Sequence, residues 1–303
     1  MTNLQKEIMN IKKDKNIKIL AHNYQTYDIQ QIADYVGDSF YLSKISQELD
    51  CDTVVFCGVN FMAETTKMLS PDKKVILANE EAYCPMARMI SPDDIIKFRE
   101  ENPDYTIVSY VNSTTETKAY VDVCVTSSTA LKIMNQIENK NILFVPDENL
   151  GNYIAKKIPN KNIKLWEGYC NVHDRVTTEE VYDLREKHPN ALLLVHPECR
   201  EEIVNLADFA GSTSEIIKQA KESSNDEIII GTEVGVLDYL EATVPNKKFY
   251  LLSKHLVCPN MKKTKLEDVY KAVSCEGGRE VVIEEELMNK AIKSINEMIR
   301  LAE

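Results

Sequence analysis

The sequence predicts an α/β protein built from three similar three-layer αβα domains with parallel sheets, packed about a pseudo-threefold axis so that the active site lies at the centre. Two observations carry this. Short apolar runs of strand length alternate with helix-patterned runs, which is how βα units with parallel strands read. One pattern also recurs three times at intervals of 86 to 88 residues, a domain-sized period rather than a solenoid one. With 303 residues, 44% of them hydrophobic, the chain is long enough to bury several cores.

Each copy opens on a capped amphipathic helix, with Asn3, Ser91 and Thr177 as the capping residues. A short apolar strand follows (17–21, 106–109 and 191–195) and delivers a polar landmark: His22, Tyr110 and His196. Two positions further on stand Tyr24, Asn112 and Glu198. Seventeen residues after the first landmark each copy places a hydroxyl, Ser39, Ser127 and Thr213, ahead of a helix-patterned run, so each is a candidate N-cap. A second strand (53–57, 142–145, 227–230), a helix and a third strand (75–78, 163–166, 249–252) complete the unit. The units are expected at 1–90, 91–176 and 177–263; the tail 264–303 holds a fourth opening helix and a closing helix, and is expected to pack back on the first unit.

Composition narrows the function. The 48 acidic against 36 basic residues give a net charge of -12, which argues against nucleic acid as a partner, because phosphate neutralisation needs clustered Lys and Arg. The first fifteen residues are polar and no run of 18 apolar residues occurs, so neither a leader nor a membrane span is expected and the cytoplasm is the expected location. There is no glycine-rich nucleotide loop among nine glycines. Eight cysteines without a C-x-x-C pair imply free thiols in a reducing compartment, so any cysteine site has to be assembled by the fold.

Three cysteines fall in the repeat. Cys84, Cys170 and Cys258 are 86 and 88 apart and lie 62, 60 and 62 residues beyond the first landmarks. Thiolates at equivalent points of three units would give a metal three ligands and leave one position open, as catalysis requires. Soft thiolate ligation fits zinc or an iron–sulfur centre, and spacing leaves both open. The competing reading is three buried cysteines copied by duplication; against it, core positions drift among apolar residues in diverged copies. Cys51, Cys57, Cys124, Cys199 and Cys275 have no equivalents and read as ordinary thiols.

The polar landmarks read as an anion site. Hydroxyls beside the free N–H groups of helix starts suit carboxylates or phosphates, and His22, Asn112 and His196 add donors. Tyr24, Tyr110 and Glu198 can move protons if burial tunes them. His173, three residues after Cys170, is close enough to reach whatever a metal there binds. His188 reads as a helix cap, and His255 is given no role.

The strings Ala21-His22-Asn23-Tyr24-Gln25, Gly37-Asp38-Ser39, Tyr110-Val111-Asn112, His196-Pro197-Glu198-Cys199, Gly211-Ser212-Thr213-Ser214 and Cys258-Pro259-Asn260-Met261-Lys262-Lys263 together resemble the quinolinate synthase family of de novo NAD biosynthesis, in order and across essentially the whole chain. The resemblance implies three domains in a triangle and one 4Fe-4S cluster on Cys84, Cys170 and Cys258, its fourth iron free for substrate. It implies a transferase that condenses iminoaspartate with dihydroxyacetone phosphate to quinolinate, phosphate and two waters, and functional coupling to an L-aspartate-oxidising enzyme. By matching motifs, iminoaspartate would contact His22, Ser39, Tyr110, Asn112, Ser127, His196, Glu198 and Thr213, with Tyr24 and Glu198 moving protons and His173 beside them. Rival readings are a zinc-dependent aldolase or hydrolase on the same cysteines, and a non-catalytic dicarboxylate-binding protein.

Overall fold

In a computed structural model describing residues 1–303, the chain forms three separate sheets, each built by the same order of elements. The first comprises α1 (Asn3–Asp14), β1 (Ile17–His22), α2 (Tyr27–Gln30), β2 (Tyr35–Gly37), α3 (Ser39–Glu48), β3 (Thr53–Cys57), α4 (Asn60–Leu69) and β4 (Lys74–Leu77). The second repeats it with α5 (Pro92–Glu101), β5 (Thr106–Tyr110), α6 (Thr115–Lys118), β6 (Val123–Val125), α7 (Ala130–Gln136), β7 (Asn141–Val145), α8 (Glu148–Lys157) and β8 (Asn162–Leu165). The third has α9 (Thr178–Lys187), β9 (Leu192–Val195), α10 (Glu201–Leu206), β10 (Phe209–Ala210), α11 (Thr213–Glu222), β11 (Glu227–Gly231), α12 (Val234–Thr243) and β12 (Lys248–Leu251). The tail adds α13 (Leu266–Ser274), β13 (Arg279–Glu280) and α14 (Glu285–Ala302).

Strand order is β2-β1-β3-β4, β6-β5-β7-β8 and β10-β9-β11-β12, all parallel, with β13 added antiparallel at the β4 edge. The central strands are apolar on both faces because helices cover both: Ile19, Leu20, Val54 and Val55 are completely buried, as are Ile107, Val108, Phe144, Leu193, Leu194, Ile229 and Ile230. Each such side chain contributes about 1.5–3 kcal/mol on burial.

The opening helices start where capping chemistry dictates. Ser91 and Thr177 each accept the amide of the third helical residue while Asp94 and Glu180 reach back, a closed capping box. In the first unit Thr2, not Asn3, takes this role, with Gln5 as its reciprocal partner. The short strands β2, β6 and β10 and the single-turn helices α2 and α6 before the first two of them were not anticipated from the sequence. An aspartate at the amino end of each short strand ties it into its sheet: Asp34, Asp122 and Asp208 accept the amides of Ile19, Ile107 and Leu193 at 2.8, 2.7 and 2.7 Å. Each also pairs with a cation from the opening helix, Lys12, Arg99 and Arg185, at 3.1 Å.

The tail divides. Helix α13 lies on α1 and β13 extends the first sheet. Helix α14 instead packs across the seam, on α6, β6 and α7 of the second unit as well as α4 of the first, so the expectation that the whole tail returns to the first unit does not describe it. Its buried stripe, Ala291, Ile295, Met298 and Ile299, faces both units, and Ser294 donates to the Lys118 carbonyl at 3.0 Å. No helix is long and apolar enough to cross a membrane.

Candidate metal centre and active site

The loops that leave the carboxyl ends of the strands in all three units open onto one central cavity, where parallel α/β sheets place ligands. Its wall includes Cys84, Cys170 and Cys258, and also His22, Tyr24, Ser39, Tyr110, Asn112, Ser127, His173, His196, Glu198 and Thr213. Every site residue singled out in the sequence therefore borders the same space. The remaining cysteines do not: Cys51, Cys57, Cys124 and Cys199 are buried elsewhere and Cys275 is exposed, all eight being free thiols.

The hydroxyl residues differ from expectation in one respect. Asp38 and Ser212, one residue earlier, are the N-caps of α3 and α11, accepting the amides of Tyr41 at 2.9 Å and Glu215 at 3.4 Å. Ser39 and Thr213 are thus the first helical residues. Because a neighbour does the capping, their own hydroxyls are released from that duty. Ser127 likewise precedes α7, whose cap position is Thr129.

Glu198 is the electrostatic hub. Its Oε2 lies 2.8 Å from His173 Nδ1 and 3.6 Å from His196 Nδ1, and the Tyr110 hydroxyl is turned to it. Burial by itself would raise its carboxyl, but His196, His173 and the Tyr110 hydroxyl hold it well below the usual carboxylate range. The same charge, after burial, keeps Tyr24 and Tyr110 protonated far above their usual range.

His22 and His196 share one local geometry. In each, Nδ1 accepts the backbone N–H two residues on, at 3.2 Å from Tyr24 and 3.3 Å from Glu198, which leaves the proton of the neutral ring on Nε2. Burial drives both rings neutral, His22 down to about 3 and His196 to about 4, against the opposing pull of Glu198. Tyr24 bridges the first and third units: its hydroxyl lies 3.1 Å from both Thr213 Oγ1 and Thr232 Oγ1. His173 reaches Thr232 through Nε2 at 3.0 Å.

The Tyr24 loop, a candidate for shielding the site, is held against the third unit. Lys262 donates to the Tyr24 carbonyl at 2.6 Å and Gln25 to the Met261 carbonyl at 3.0 Å. The approach requires Gly235, because a Cβ there would come within 2.8 Å of the Asn23 and Gln25 carbonyl oxygens. Lys262 is in turn paired with the fully buried Glu233 at 3.1 Å. Three residues were missed in the sequence, where nothing marked them: Glu233 in the cavity wall, Thr232 behind Tyr24 and His173, and Asp147, which accepts the Cys170 amide; Lys262 stood within a quoted string but was given no role.

All three cysteines border the cavity. Burial pushes the Cys84 thiol up to about 12 and raises Cys170 and Cys258, with Cys258 adding to the rise at Cys84 and Cys84 to that at Cys170. The tightest trio of metal-ligating side chains is a different one, Cys170, His173 and Glu198, whose donor atoms lie within 4.8 Å of one another. His173 Nδ1 lies 2.8 Å from Glu198 Oε2 and 3.3 Å from Cys170 Sγ, so the imidazole alone draws the trio together.

Comparison with known proteins agrees with this architecture. The model of the quinolinate synthetase A protein family matches residues 6–300. Among curated relatives, a quinolinate synthase of Caldicellulosiruptor saccharolyticus is 50% identical over 299 residues, covering 99% of this chain and 98% of the relative. Those of Alkaliphilus metalliredigens and Clostridioides difficile are 49% and 48% identical, covering 99% and 98% of this chain and 99% and 97% of the relatives.

Proposed function

Because the chain belongs to the quinolinate synthetase A family and is an enzyme with quinolinate synthase activity, we propose that its central cavity condenses iminoaspartate with dihydroxyacetone phosphate. Quinolinate, phosphate and two waters leave, a redox-neutral balance. A single 4Fe-4S cluster on Cys84, Cys170 and Cys258 is the proposed cofactor. The observation that carries this reading is the opening of three repeat-equivalent thiols and the polar landmarks of all three units onto one space.

The donor set fits such a centre. Three soft thiols on the wall of one cavity suit an iron–sulfur centre. When bound, the cluster supplies a Lewis-acidic iron at its unligated corner.

The chain's own groups divide the remaining work. The Nε2–H groups of neutral His22 and His196, the Asn112 amide and the Ser39, Ser127 and Thr213 hydroxyls hold the dicarboxylate, with the first turns of α3 and α11 adding backbone N–H groups and dipole. Ionised Glu198 accepts a proton and the protonated phenols of Tyr24 and Tyr110 give one, the exchange that tautomerisation and dehydration need. Held against the third unit, the Tyr24 loop keeps water from reactive intermediates. The imine is labile, so an L-aspartate-oxidising enzyme in the same cytoplasm is its natural supplier.

Anaerobic purification followed by iron, sulfide and quinolinate assays tests the proposal. Iron and sulfide equivalent to one cluster per chain, with quinolinate formed from the two substrates, is the expected result. Stoichiometric zinc without iron, or binding of both substrates without turnover, would overturn it.

A further inference from the structure

Two buried carboxylates stand behind the cysteines. Asp147 and Glu233 are both completely buried, lie 86 residues apart, and each follows its strand, β7 or β11, by two positions. Asp147 accepts the Cys170 amide through Oδ2 at 2.8 Å, and Glu233 accepts the Cys258 amide through Oε1 at 3.0 Å. Their second oxygens are engaged as well, Asp147 Oδ1 with the Leu150 amide at 2.9 Å and Glu233 Oε2 with the Gly235 amide at 2.7 Å. In the first unit the equivalent position, 88 residues before Asp147, is Val59. Valine accepts nothing, and the Cys84 amide has no hydrogen-bond partner within the protein.

Capping alone does not explain these residues. A helix start needs one acceptor, and Ser91, Thr177 and Ser212 provide it elsewhere with a hydroxyl. A buried carboxylate is far more expensive to desolvate. In the third unit the charge also pairs with Lys262 at 3.1 Å; what both carboxylates share is a second acceptor, which goes to the amide of the cysteine 23 or 25 residues further along the chain. A ligand whose backbone is already fixed loses less freedom on coordinating.

We propose that Asp147 and Glu233 are positioning residues that clamp the cysteine loops of the second and third units, making Cys170 and Cys258 the rigid corners of the metal centre and Cys84 the corner through which it is loaded and lost. The proposal rests on the three-cysteine reading above, but the clamp itself is a property of the polypeptide.

Asp147→Ser separates clamp from cap, because serine keeps an acceptor for the Leu150 amide and lacks one for Cys170. Glu233→Gln replaces one acceptor by a donor facing N–H groups. With the reconstituted holoenzyme kept anaerobic, both variants should release iron to a chelator at least ~10-fold faster than the parent, the usual scale for partners that orient a ligand. Thr177→Ala, which removes only a cap, should leave that rate unchanged. In the cluster-free chain, amide hydrogen exchange should be at least ~10-fold slower around Cys170 and Cys258 than around Cys84, and Asp147→Ser should erase the difference for Cys170. Parent-like iron release in both carboxylate variants, or equal exchange at all three cysteine loops of the parent, would overturn the clamp. If no protein takes up iron, the cluster assignment fails instead, and the exchange pattern still decides the clamp.

Discussion

The amino and carboxyl ends of the three sheets use the same repeat for opposite purposes. Asp34, Asp122 and Asp208 share the 88- and 86-residue spacing of the site landmarks. Yet they sit at the amino ends of β2, β6 and β10, each tying a strand amide to a cation of the opening helix. Cys84, Cys170 and Cys258 follow the carboxyl ends of β4, β8 and β12 and border the cavity. A residue type kept in all three copies is thus no proof of chemistry. Which end of the strand it occupies decides whether it holds the sheet or faces a ligand.

The largest effect is expected at the cysteines. Replacing Cys84, Cys170 or Cys258 by Ala should abolish bound iron, visible colour and quinolinate formation together while the far-ultraviolet circular dichroism stays that of the parent. Retention of full iron by any one of the three would remove it from the centre. Next in size is Glu198→Gln, which keeps the shape but not the charge. It should retain iron and lower kcat by about 10²–10⁴, the range for losing an acid–base group. Single-turnover product analysis checks it, and parent-like turnover would exclude Glu198 from proton transfer.

At the other end of the sheet the expectation reverses. Asp122→Ala strands the buried Ile107 amide and frees Arg99, which should cost about 1–3 kcal/mol of unfolding free energy. Iron content and kcat per folded molecule should not change. A urea titration beside an iron assay reads both, and loss of iron at parent-like stability would show that the two ends are not separable.

Much of this was legible in the sequence because parallel strands covered on both faces read as continuous apolar runs, and because triplication let weak landmarks reinforce one another. The short strands were not. Two or three residues, as in β10 and β2, are too few to carry a period. The N-caps of α3 and α11 were displaced by one residue because Asp38-Ser39 and Ser212-Thr213 each offer two adjacent capping types; the reciprocal bond, donated by the Ser212 amide to the Glu215 carboxylate, selects the earlier one in α11. Asp147 and Glu233 were invisible for another reason. The copies carry Val, Asp and Glu at that position, and the amide they hold belongs to a distant loop that only the fold brings near.

Acid should expose the same polarity between the two ends, with the smallest effect. His22 and His196 line the carboxyl-end cavity as neutral rings, held at about 3 and about 4 against an ordinary value of 6.5. Below 6.5 the unfolded chain binds protons that the folded chain refuses until pH approaches those lower values. Their contribution is therefore complete above 6.5 and declines as pH falls toward 4 and then 3. From pH 6.5 to 5.5 the loss should be about 1 kcal/mol per histidine. Denaturant unfolding of the cluster-free chain across that window measures it, and His22→Asn should remove one histidine's share of the slope. An identical slope in the variant would mean that the ring already titrates normally in the folded protein, and that the cavity wall is wetter than the buried imidazoles require.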